Sequence, residues 1–239
     1  MDRGCGAIAR GVWHGLSCGV PRTDPVRLAV FASGNGSNFE ALAAAFASDP
    51  SDSRIVALLC DRPEAPVIER ARRHGIETIT PPVGRFRSRI EDEAPWLAAL
   101  RSHRVELVVL AGFMRRVHAT LLEPFAGRML NLHPSLLPSF PGLDAIGQAW
   151  RHGVGVTGCT VHLVEDAIDA GPIVAQAAVT IAPGESLASL ETRVHEAEHA
   201  LLPQAVRRFI REPWHLDGRR LVFGSGPGFV RPSEEVAHG

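Results

Sequence analysis

Two polar residues on one predicted strand lie in the most specific segment of the chain. In LNLHPSLLPSFPG (130–142), Asn131 and His133 are two apart, so on a strand they face the same side. Pro134 keeps His133 extended, and Pro138, Pro141 and Gly142 shape an irregular loop just past the strand's end. An amide donor beside an imidazole suits a carbonyl under attack: the amide binds the developing oxyanion, and a protonated ring supplies charge and a proton. The bland reading makes Asn131 a loop cap and His133 a satisfied core histidine. A carboxylate would be needed to hold such a ring protonated near neutral pH. The candidate is Asp169 in AIDAGPI, whose bland role is Asx-type bonding in a turn. Sequence alone does not bring Asp169 to His133.

Two further stretches raise chemistry of their own. SGNGSN (33–38) follows an apolar run and opens a helical pattern. Glycines there allow a tight turn, and free N–H groups at a helix start favour an anion. The dinucleotide fingerprint needs a third glycine where Phe39 stands, although Asp61 sits where an acid would hold an adenosine ribose. A monophosphate fits this loop better; a plain β–α turn is the bland reading. HEAEH (195–199) matches H-E-x-x-H and its reverse, both zinc-hydrolase patterns. No convincing third ligand follows it, because Glu212 precedes Pro213 and Glu234 and Glu235 lie in a Pro/Gly-rich tail. Two histidines on a partly solvated helix is the simpler reading.

The elements that must position these groups are legible from periodicity. Apolar runs predict strands over 26–33, 54–61, 77–82, 105–113 and 128–134. Helical patterns lie between them over 39–48, 63–75, 88–103 and 118–125, with Gly75 as a C-cap, Ser88 as an N-cap and Pro95 as a kink. This alternation predicts an α/β chain whose mostly parallel sheet has helices on both faces. The pattern then changes. Residues 158–166 and 172–181 predict a hairpin-like antiparallel pair around the tight segment AIDAG. A long helix over 186–210 and a short terminal ribbon around LDGRRLVF follow. Residues 25–239 read as a single domain. Residues 1–24 are Gly-rich and aperiodic and read as a disordered extension, with a targeting peptide as the alternative.

Composition narrows the function classes. The formal net charge of −1 offers no global attraction for nucleic acid or an anionic membrane. No apolar run approaches a membrane span. The four cysteines form no C-x-x-C pair and no disulfide framework, which predicts reduced thiols in a cytoplasmic protein. All 25 basic residues are arginine, which reads as compositional bias.

SGNGSN, LAGFMR (110–115), LNLHPSLLPSFPG and TGCTVHLVEDAIDAGPI (157–173), in this order, resemble the folate-dependent phosphoribosylglycinamide formyltransferases over about residues 26–225. The resemblance implies a Rossmann-like formyltransferase fold. It also implies transfer of the formyl group of 10-formyltetrahydrofolate to the amine of glycinamide ribonucleotide, in purine synthesis. By the same resemblance Asn131, His133 and Asp169 are catalytic, with Asp169 raising the pKa of His133. Gly36, Ser37, Asn38 and Glu198 would bind the ribonucleotide. Arg89, Met114, Arg115, Arg116, Val117 and Asn131 would line the folate site, and His162 would border it. The partners implied are small molecules, with no metal, nucleic acid or membrane, and the protein would be a monomer or homodimer.

Some positions depart from the family pattern. Arg116 stands where an apolar residue is usual, Asp144 where His is frequent, and His195 where Gln is frequent. Two related activities fit the sequence less well. Methionyl-tRNA formyltransferases add a C-terminal domain of roughly a hundred residues, for which the chain after Phe209 is too short. Formyltetrahydrofolate deformylases carry an N-terminal regulatory domain, and usually His where Pro134 stands. A non-catalytic nucleotide or folate sensor on the same fold is the remaining alternative.

Overall fold

The computed structural model describes residues 24–224, so the expectations for residues 1–23 and 225–239 lie outside the described residues. Five strands run parallel: β1 (Val26–Ala32), β2 (Ser53–Cys60), β3 (Glu77–Ile79), β4 (Leu107–Leu110) and β5 (Met129–His133). Two more, β6 (Val156–Leu163) and β7 (Ile173–Thr180), pair antiparallel, giving the order β3-β2-β1-β4-β5-β6-β7. A separate ribbon pairs β8 (Trp214–Asp217) with β9 (Arg220–Phe223).

The near-continuous apolar character of the central strands follows from burial on both faces. Leu28, Val30 and Ala32 of β1 pack with Phe39, Leu42 and Phe46 of α1 (Ser37–Ser48) and with Leu202, Val206 and Phe209 of α6 (Leu187–Arg211). The alternate residues Ala29 and Phe31 pack on the other face with Trp96 and Leu100 of α3 (Ala94–Ser102) and with Leu121 of α4 (Ala119–Leu122). The two-residue period of one strand thus serves two helical layers. A further helix, α2 (Val67–Arg73), returns the chain from β2 to β3.

Strand order reverses between β1 and β4, which places a crevice at the carboxyl ends of these strands. The loops that leave β1, β4 and β5 open there. Ser33 N donates to Gly112 O at 3.1 Å and joins two of them directly.

Four local expectations are corrected. Helix α3 starts at Ala94, and Pro95 occupies its first turn instead of kinking it. Ser88 therefore caps nothing; its carbonyl accepts Arg116 N–H at 2.9 Å in an irregular segment. Helix α2 is shorter than 63–75 because Pro66 sits at its N-cap. A helix that periodicity had not suggested, α5 (Ala145–His152), follows the β5 loop and stops at Gly153 with φ +74°. Finally, β6 and β7 are joined by a connection over 164–172, longer than a tight turn.

Candidate active site

The β5 strand ends in Asn131 and His133, and antiparallel β6 sets His162 opposite Asn131 and Thr160 opposite His133. Asn131 Nδ2 lies 3.1 Å from His162 Nε2, while His162 Nδ1 donates to Leu163 O at 2.8 Å. The amide carries two N–H groups, so this contact leaves one for another acceptor. His133 is buried; its Nε2 donates to Phe140 O at 2.9 Å and its Nδ1 lies 3.4 Å from Asp169 Oδ2. Both ring nitrogens face oxygen acceptors, a pattern fully satisfied when both carry protons.

Asp169 arrives from the 164–172 connection in the left-handed region, at φ +50°. That connection can close because Gly171 has no side chain: a Cβ there would meet Leu163 O at 1.8 Å. Asp169 Oδ2 accepts Gly142 N–H at 2.8 Å, and Oδ1 lies 3.7 Å from His162 Nε2, too far for a hydrogen bond. Burial pushes this carboxyl up, but the His162 ring, the Gly142 N–H and the His133 charge outweigh it and hold the group below the usual aspartate range.

The irregular loop 134–142 is fixed by polar groups that sequence reasoning missed. Ser135 Oγ donates to Ser139 O at 2.5 Å. Thr160 Oγ1 donates to Ser135 O at 2.6 Å and accepts Leu137 N–H at 3.1 Å. Gln176 Nε2 donates to Leu137 O at 3.0 Å. This network sets the Phe140 carbonyl against His133. Thr160 and Gln176 lie on apolar-looking strands, and only their polarity inside such runs could have flagged them.

At the other end of the crevice Gly36 caps α1 at φ +78°, and a Cβ there would come within 2.4 Å of the Val67 side chain. Helix α1 has no side-chain cap. Asn38 Nδ2 donates to buried Glu198 Oε2 at 2.9 Å, and His195 Nδ1 donates to the same oxygen at 2.8 Å. The Glu198 carboxylate beside it moves the His195 ring up. Burial moves His199 down, and His199 Nε2 and Asn38 Oδ1 are buried polar atoms with no hydrogen-bond partner. HEAEH therefore supplies one carboxylate to the glycine loop. Among the described residues no group of three His, Cys, Asp or Glu side chains is placed to hold a metal.

The segment after β4 borders the crevice between these two clusters. Met114 N donates to Ser33 Oγ at 2.9 Å and its side chain is half exposed. Arg116 Nη2 donates to Asp166 O at 2.8 Å and to Asp166 Oδ1 at 3.0 Å, which ties this wall to the connection that carries Asp169. Arg89 is exposed, with its guanidinium 4.1 Å from the Phe86 ring centre. Val117 is buried in the core, and Arg115 turns toward Asp61. Asp61 is thereby ion-paired inside the protein. Asp144, the other departure, pairs with Arg151 on α5 at 2.7 Å, away from these groups.

Comparison with known proteins gives the family of this chain. The formyl transferase family profile matches residues 26–206. The chain belongs to the formyl transferase family. Within the family it is 44% identical to phosphoribosylglycinamide formyltransferase of Bacillus subtilis (strain 168), over 77% of this chain and 94% of that protein. The crystal structure of glycinamide ribonucleotide transformylase 1 from Symbiobacterium toebii superposes with a TM-score of 0.79 at 39% identity, covering 83% of this chain and 94% of that one. For glycinamide ribonucleotide transformylase 1 from Geobacillus kaustophilus the TM-score is 0.74 at 45% identity, with coverages of 78% and 99%. The family match spans β1 through most of α6, so it includes the glycine loop, the Asn131–His133 strand end, Asp169 and Glu198.

Proposed function

We propose that this protein transfers the formyl group of 10-formyltetrahydrofolate to the amine of N1-(5-phosphoribosyl)glycinamide in purine biosynthesis. The observation that carries the reading is the convergence of Asn131, His133 and Asp169, with His133 Nδ1 3.4 Å from Asp169 Oδ2 at the carboxyl end of β5. The two other clusters fit the two substrates. The first turn of α1 after Gly36, with Ser37 and Asn38, offers N–H donors to a phosphate. Glu198, held beside Asn38, faces the sugar hydroxyls. The wall that accepts the folate presents Arg89, Met114 and Arg116, with Arg115 and Val117 behind it; the exposed Met114 side chain is an apolar surface and the Arg89 cation suits a carboxylate.

The amine attacks the formyl carbon directly. The free N–H of Asn131 donates to the tetrahedral oxyanion, and the His133 ring joins it when its Nε2–H turns from Phe140 O toward the formyl oxygen. Asp169 balances the charge on His133. The proton moves from the amine to the leaving folate nitrogen through His133 or an ordered water beside Asp169. This route needs neither a metal nor a covalent enzyme intermediate, because the formyl donor is already activated. The buried free thiols Cys60 and Cys159 suit a reducing cytoplasm, the location we propose; burial, with the Glu198 charge, pushes Cys159 up to about 12. Among the described residues no helix is long and apolar enough to cross a membrane.

The test is spectrophotometric. With glycinamide ribonucleotide and 10-formyltetrahydrofolate, the absorbance change of tetrahydrofolate release is expected only when both substrates are present. Release without the ribonucleotide would mean hydrolysis. No change, with binding retained, would make the protein a sensor.

A further inference from the structure

We infer that Arg115 is a positioning residue: it shapes the folate wall by locking the loop that carries Arg89, and does not touch the folate itself. The inference rests on the formyl-transfer reading for its kinetic arm only.

Two irregular segments form this wall. One, over 80–93, joins β3 to α3; the other, over 111–118, joins β4 to α4. They clasp each other with one buried charge from each side. Arg115 Nε donates to Asp61 Oδ2 at 2.7 Å, just past the end of β2. Its Nη1 donates to the carbonyl of Phe86 and, at 3.3 Å, to that of Arg89. From the opposite direction, the buried Glu93 carboxylate accepts His118 N–H at 2.6 Å and Leu121 N–H at 3.1 Å, closing the start of α4. Between these clasps a single parallel bridge joins Arg89 to Arg116.

The geometry separates Arg115 from its neighbours. Its side chain is only 11% exposed, and that of Asp61 1%, whereas Arg89 and Arg116 reach solvent. Its Nε and Nη1 donors are therefore committed to protein acceptors. A planar fork can serve a carboxylate and two carbonyls together; a lysine ammonium is a point donor that can keep the ion pair but cannot span all three. Asp61 Oδ1 is already buried without a partner, so Asp61 depends on Arg115 for its charge balance. Ion pairing to Asp61 anchors the fork on the rigid sheet, and the fork then fixes the backbone of Phe86 and Arg89. Arg89 stays free to meet an anionic group of the ligand at a set place.

Arg115→Lys tests this by amide hydrogen exchange and steady-state kinetics on the full chain. The expected result is faster exchange in peptides covering 84–92, with exchange over 26–48 and 187–211 unchanged. The KM for 10-formyltetrahydrofolate should rise about tenfold, the scale of losing charge-assisted hydrogen bonds. The KM for glycinamide ribonucleotide and kcat at saturating folate should stay within about twofold. Asp61→Asn loosens the same guanidinium from its anchor, and should move the same two readouts in the same direction by less. Unchanged exchange over 84–92 in both variants overturns the inference. So does faster exchange throughout the chain, which would make the pair a general stabiliser, or a fall in kcat with folate KM unmoved. A wild-type protein without transfer activity would sink the functional reading instead, while the exchange arm still decides the role of Arg115.

Discussion

Replacing Asp169 by Asn removes one negative charge and leaves the shape almost intact. Asn tolerates the left-handed φ of +50° that this position holds, and its amide oxygen can still accept Gly142 N–H. What disappears is the charge 3.4 Å from His133 Nδ1, on a side chain 12% exposed. Unit charges at that distance attract by about 5 kcal/mol at an effective dielectric of about 20. Desolvation offsets part of this. If about half survives in the transition state, kcat falls about a hundredfold, and loss of the oriented ring can extend that toward a thousandfold. Initial rates at saturating substrates measure kcat, and thermal melts at the same pH measure folding. Because the Asp169 carboxyl titrates below its ordinary range when folded, it stabilises the wild type above the unfolded value of about 4 and loses that contribution as pH falls through the folded value. The melting difference between wild type and variant should therefore be largest near neutral pH and vanish in acid. Full activity in Asp169→Asn would remove the residue from the mechanism. Lost activity matched by a collapse in melting temperature would make its role structural.

Three other substitutions probe the ribonucleotide end. Gly36→Ala forces a side chain into a positive φ and against Val67. It should destabilise the fold by about 2 kcal/mol or more, a melting shift of about 4–8 °C by calorimetry. Glu198→Gln removes the charged acceptor of Asn38 and His195, and kinetics should show the ribonucleotide KM up about tenfold with folate KM unchanged. His195→Gln tests the raised His195 ring. Its stabilising contribution is fully present below the unfolded value of about 6.5 and is lost as pH rises through the folded value, so melting curves of wild type and variant should converge on the alkaline side.

Strand identity was legible because buried parallel strands are apolar on both faces, and a run such as the LVVL of β4 has few other uses. The same bias hid the groups that hold the site. Ser135, Thr160 and Gln176 act through backbone carbonyls of the 134–142 loop, and no spacing rule connects residues of that loop, β6 and β7. Helix α3 is shorter than the pattern predicts because 88–93 carries helical-looking residues whose backbone carbonyls are held by Arg115 and Arg116 instead. Helix α5 was overlooked because it buries small residues, Ala145, Gly147 and Ala149 beside Ile146, and its stop signal Gly153 sits in a glycine-rich stretch. Asp169 could be named from its turn and the family likeness, but its reach to His133 depends on the close approach of Gly171 to Leu163 O. HEAEH matches a zinc pattern because two histidines one turn apart look alike on any helix, and the lack of a third ligand already favours the plainer reading; their partners, Glu198 for one and none for Nε2 of the other, differ.

The central claim is direct transfer of one carbon to an amine at the Asn131–His133–Asp169 cluster. It is tested most directly with 10-formyltetrahydrofolate carrying ¹³C in the formyl group, followed by mass spectrometry of the products. The account predicts that the label appears in formylglycinamide ribonucleotide in step with tetrahydrofolate, and that His133→Ala abolishes the transfer while the folded protein still binds the ribonucleotide. Label recovered as free formate, or transfer undiminished in His133→Ala, would contradict it.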